Sequence, residues 1–85
     1  MSYIPQFAPD AKSEWHELDV ELQEAVLDQI EQIASNPPLP PRRAINFDVV
    51  LDLGGKRHYL FLRVLIDHTR KTATVLGVGH FARSI

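Results

Sequence analysis

The sequence predicts an α+β domain in which an N-terminal strand and a helical hairpin pack on one face of a small antiparallel sheet. Three observations carry this expectation. Apolar residues recur at helical spacing from Ala11 to Ile33. They then alternate strictly over Ile45–Leu53. Gly54-Gly55 follows as a two-residue hairpin turn, with a second alternating run beyond it. At 85 residues the chain supports one hydrophobic core rather than two, so residues 1–85 are read as one domain.

Tyr3–Phe7 is short and apolar enough for a strand, and Pro5 suits an edge or a kink. Pro9 fits the first turn of a helix, in which Ala11, Trp15 and Leu18 share one face. Asp19 suits the cap of a second helix. There Leu22, Val26, Ile30 and Ile33 form the apolar stripe, and Ser35-Asn36-Pro37-Pro38 ends it. The run NPPLPPRR reads as a stiff connector between helices and sheet.

The two-residue turn sets the register of the hairpin that follows. Leu53 then faces Lys56, and His58, Leu60, Leu62 and Val64 oppose Leu51, Val49, Phe47 and Ile45 on a core face. The other face pairs Asp52 with Arg57, Val50 with Tyr59, Asp48 with Phe61 and Asn46 with Arg63. Asp67–Thr72 forms the next turn and Ala73–Gly79 the last strand. Whether His80 joins the face of Tyr59 and Arg63 depends on a loop of three or four residues at that turn, and both remain open.

The charge is split along the chain. Up to Pro41, eight acidic residues stand against Lys12 alone, a balance of −7; from Arg42 onward, eight basic residues stand against Asp48, Asp52 and Asp67, a balance of +5. Acidic helices would thus lie behind the sheet and basic strands in front, where an anion such as RNA or an acidic partner could dock. The net charge of −2 argues against strong nonspecific nucleic-acid binding. No cysteine is present, which excludes disulfides and thiolate metal sites. His16, His58, His68 and His80 are too widely spaced for a metal motif, and nothing asks for a cofactor. Met1–Phe7 lacks the features of a signal peptide and no run reaches membrane-spanning length, so a cytoplasmic location is expected.

The opening IPQFAPDA, the helical hairpin ending IEQIASNP and the strand pair ending RVLIDHTRKTATVLGVGH together resemble the RelE/ParE family of bacterial type II toxins, over nearly the whole chain. The resemblance implies a toxin held by a cognate antitoxin, with a homodimer also possible. In RelE-like members the toxin enters the ribosome and cuts mRNA, using the 2′-hydroxyl as nucleophile. Basic residues on the open sheet face hold the phosphate, and in some members a histidine, glutamate or tyrosine moves protons. In ParE-like members the same fold binds DNA gyrase and cuts nothing.

Carried over residue by residue, the resemblance implies Arg63, His80 and Arg83 as catalytic residues and Arg57, Tyr59 and Phe61 as RNA-binding residues. His80 matches the histidine of the family's Gly-His ending. Phe81 stands where a basic residue usually follows, with Arg83 two places on. Phe61 occupies the place of the family's central arginine, with Arg63 two residues further along the same face. Two functions stay open: a ribosome-dependent mRNA endonuclease that inhibits translation, and a non-catalytic relative that inhibits gyrase or meets only its antitoxin.

Overall fold

Gly54 and Gly55 adopt φ of 58° and 77°, the left-handed pair that a tight hairpin turn requires and that side chains resist. That turn joins β2 (Ala44–Leu53) to β3 (Lys56–Asp67). All ten pairs of the hairpin follow the register read from the sequence, from Leu53 opposite Lys56 to Ala44 opposite Leu65. The structure, a computed structural model, describes residues 3–37 and 44–85. The greater part of the connector, with Arg42 and Arg43, lies outside the described residues.

The remaining elements are β1 (Ile4–Phe7), α1 (Pro9–His16), α2 (Val20–Ser35) and β4 (Thr72–Ser84). The sheet order is β1-β4-β3-β2. It is mixed rather than wholly antiparallel, because β1 runs parallel to β4, with Ile4 opposite Thr72 and Phe7 opposite Val75. The helical hairpin carries the chain back to the start of the sheet before β2, which is the kind of long crossover a parallel pair needs. Pro5 sits in the edge strand β1, where a missing N–H is tolerated.

The helices are tied to one another by a reciprocal polar link. The Trp15 indole N–H donates to the Gln23 carbonyl at 3.1 Å, and the Gln23 amide donates back to the Trp15 carbonyl at 3.2 Å. Trp15 itself is half-buried against the core. Asp19 occupies the N-cap position of α2, as expected, but its carboxylate makes no capping hydrogen bond; its backbone carbonyl accepts the Gln23 N–H at 2.8 Å. At the other end the Tyr3 N–H donates to the Ala34 carbonyl, fastening the N-terminal strand to the end of α2.

The core joins the predicted stripe of α2 to alternate residues of the central strands. Leu22, Val26 and Ile30 meet Leu60, Leu62, Val64, Ile66 and Val75, all at 1% exposure or less. Burial of this kind, at about 25 cal/mol per Å² of apolar surface, is what holds so small a sheet to its helices. Ile45, Phe47, Val49, Leu51 and Leu53 face the same side but stay half-buried, since β2 is the outer strand. Glu21, Glu24, Asp28 and Glu31 are exposed on the outer side of α2.

The last strand departs from expectation in two ways. It continues to Ser84 instead of ending at Gly79, pairing with β3 as far as Lys56. It also carries a β-bulge. Val75 pairs with Val64, but Arg63 pairs with Gly77, leaving Leu76 as the extra residue.

Candidate functional site

The bulge decides what the open face of the sheet carries. Side chains alternate across a strand, so one inserted residue moves every later side chain to the opposite face. From the turn, Asp67 pairs with Thr72 and the register runs unbroken to Val64 and Val75. Continued without a bulge, it would place His80 opposite Tyr59. With Leu76 inserted, Tyr59 instead meets Phe81, Arg57 meets Arg83, and His80 meets Leu60. The loop-length question left open by the sequence is thereby settled by a bulge and not by the turn.

His80 therefore does not share the face of Arg63. Its exposed ring lies on the helix side of the sheet and contacts His58. The His58 Nδ1 and His80 Nε2 atoms are 2.9 Å apart, with ring planes within 8° and centroids 5.2 Å apart. Such a separation fits two rings set edge to edge in nearly one plane, sharing a proton, rather than rings stacked face to face.

The open face presents a ladder of three aromatic rings. Phe81 lies between its cross-strand neighbours, 4.7 Å from Tyr59 and 5.6 Å from Phe61, with planes tilted by 18° and 21°. Phe61 and Phe81 are 41% and 47% exposed, and Val50 beside them is 54% exposed. Three apolar side chains thus lie open to solvent on one small face. Phe81 and Val50 were named in the sequence but not as site residues. The sequence holds one sign of the bulge, two valines three apart at Val75 and Val78; the structure buries both, which strict alternation cannot satisfy.

Arginines flank the ladder at both ends. Arg57 is paired as expected: its Nε and Nη2 donate to the two Asp52 oxygens at 2.9 and 3.3 Å. This bidentate hydrogen bond holds the Asp52 carboxyl below its ordinary value and raises the Arg57 guanidinium above its own. Arg83 lies opposite Arg57. Arg63 stands six residues from Arg57 along β3, roughly 20 Å at the rise of an extended strand. Arg63 and Arg83, both implied as catalytic by the resemblance, therefore stand at opposite ends of the ladder rather than side by side. Neither makes an ion pair with a described residue.

At the Arg63 end the face is concave. A groove of ≈ 570 Å³ lies over Gly77 and Gly79, whose missing side chains leave its floor open, and Arg63, Phe61, Asn46, Asp48 and Glu14 wall it. Glu14 reaches it from α1, and its Oε1 accepts the Val78 N–H at 3.1 Å. A larger groove of ≈ 740 Å³ lies between α2 and Phe47, but Asp28 and Glu31 line it and repel an anion. No group of three or more metal-ligating side chains occurs among the described residues, and no described helix is long and apolar enough to cross a membrane.

Comparison with solved structures gives this fold a precedent. The chain superposes on a chain of the intact Escherichia coli RelBE toxin–antitoxin complex with a TM-score of 0.66 and 19% identity, covering 92% of this chain and 95% of that one. The fold is that of the RelE toxins. A mutant of E. coli toxin RelE in the free state gives a TM-score of 0.68 at 19% identity, over 93% and 83% of the two chains. The RelBE2 toxin–antitoxin complex of Mycobacterium tuberculosis gives 0.64 at 24%, over 95% and 93%. No protein-family model matches the sequence, and no curated protein matches it. The likeness to RelE structures thus rests on backbone geometry, with few shared side chains.

Proposed function

We propose that this chain is the toxin of a toxin–antitoxin pair, and that its open sheet face receives single-stranded mRNA at the ribosome and cleaves it. The observation that carries this reading is the sequence of chemistry along one face: a groove with Arg63, then the aromatic ladder, then Arg57 and Arg83. Aromatic rings stack on bases of any sequence while arginines track the phosphates. Spread over roughly 20 Å, the two arginine ends suit a strand of several nucleotides.

In this reading Arg63 stabilises the scissile phosphate as negative charge builds on it. Arg83 and Arg57 hold the backbone at the far end, and Tyr59, Phe61 and Phe81 stack bases. Proton transfer falls to groups on the same side as Arg63, namely the carboxylates of Glu14 and Asp48 that wall its groove. His80, on the other face, takes no part. The antitoxin is a protein that covers the open face and keeps RNA out. Two of the fold's neighbours, the RelBE and RelBE2 complexes, are toxins solved with antitoxins, which supports such a partner.

A second reading has its own support. Phe61, Phe81 and Val50 are as well suited to a protein partner as to bases. A toxin that only binds, as a gyrase inhibitor would, needs no proton-transfer group.

The test is to express the chain without a partner and map the 5′ ends of a translated reporter mRNA by primer extension. New ends within codons, absent with Arg63→Ala, support cleavage. Growth arrest with intact message supports the binding reading and rules out the nuclease.

A further inference from the structure

β1 pairs with β4 only as far as Phe7 and Val75, after which the chain turns away into α1. Past that point the outer edge of β4 has lost its strand partner. The first edge donor beyond the bulge, the Val78 N–H, is taken up by the Glu14 carboxylate at 3.1 Å. Val78 is also the residue whose burial at 7% exposure needs the bulge, because it and the fully buried Val75 lie three apart on the same side. Without the bulge, Gly77 would occupy the core position opposite Leu62, and Val78 would move to the open face opposite Phe61.

We propose that Glu14 is a positioning residue that locks the register of β4, and so selects which residues the strand presents to the open face. In the locked register these are Phe81 and Arg83; in the slipped one they are His80 and Ala82. The carboxylate does this by holding the backbone of Val78 from a helix that is itself fixed by the buried Ala11. The inference concerns strand register alone. It stands or falls separately from RNA cleavage, because it is read in the free protein.

Gly77→Val supplies the apolar side chain the slipped register lacks, and in the locked one its Cβ has room, meeting only Glu14 Oε1, at 3.9 Å. Cross-strand NOEs from Tyr59 on the full chain report the register. With Gly77→Val alone, Phe81 is expected to remain opposite Tyr59. Adding Glu14→Ala should bring His80 there, whereas adding Glu14→Gln should keep Phe81, because the amide oxygen still accepts from Val78. Retention of the Tyr59–Phe81 contact in the Glu14→Ala double variant overturns the proposal. Should Gly77→Val fail to fold, Glu14→Ala on its own should speed exchange of the Val78 amide by about tenfold relative to Leu62, restored by Glu14→Gln. An unchanged Val78 amide would overturn it equally.

Discussion

Replacing Phe81 with alanine should cost clearly more stability than replacing its neighbour His80, although both side chains are exposed near the end of the chain. A fully buried phenylalanine loses about 3–5 kcal/mol on truncation to alanine. Phe81 is 47% exposed, its covered half lying against Tyr59 and Phe61. Scaling by that fraction gives about 1.5–2.5 kcal/mol, and the contacts with the Tyr59 and Phe61 rings are lost with the side chain. His80→Ala removes one hydrogen bond to His58, for which about 0.5–1.5 kcal/mol is expected. A domain of this size has only about 5–10 kcal/mol in total, so both are measurable. In urea, with a slope of about 1 kcal/mol per molar, the midpoint should fall by about 2 M for Phe81→Ala and by about 1 M for His80→Ala, at unchanged slope. The reverse order, with His80 the costlier loss, would refute the bulged register, because in the unbulged one His80 packs on Tyr59 and Phe81 leaves the ladder for the other face, opposite His58.

Further outcomes follow from the same geometry. Leu60→Ala, at a fully buried site, should cost about 2–5 kcal/mol and lower the melting temperature by roughly 10–30 °C in calorimetry, while Leu27→Ala on the exposed side of α2 should shift it by only a few degrees. Binding of a single-stranded oligoribonucleotide, followed by fluorescence anisotropy, should weaken with salt, and Arg63→Ala and Arg83→Ala should each flatten the log–log slope by about 0.7; an unchanged slope would remove that arginine from the RNA path. Asp52 has its carboxyl depressed in the folded state by the Arg57 hydrogen bond. Its stabilisation is therefore present above the ordinary value of 3.8 and is lost as the pH falls through the lower folded value. Asp52→Asn should be slightly less stable than the native chain at neutral pH, and urea midpoints of the two should converge in acid.

Much of this protein was determined by local sequence. Gly54-Gly55 admits the one backbone conformation that closes a two-residue turn, and alternation then places every residue of β2 and β3 on its face, including the Asp52–Arg57 pair. Helical spacing likewise named the buried stripe of α2, because burial of Leu22, Val26 and Ile30 needs only that they recur on one side. Two features were left to tertiary structure. The parallel pairing of β1 with β4 joins residues nearly seventy positions apart and depends on where the helical hairpin returns the chain. The face of each residue after Leu76 depends on a bulge that is favoured by burial of Val78 beneath the helices and by a carboxylate arriving from α1. Within β4, alternation alone would have placed His80 with the arginines. Packing of the whole sheet against its helices replaced it with Phe81, since the core accepts a valine at position 78 and gains nothing from a glycine at 77.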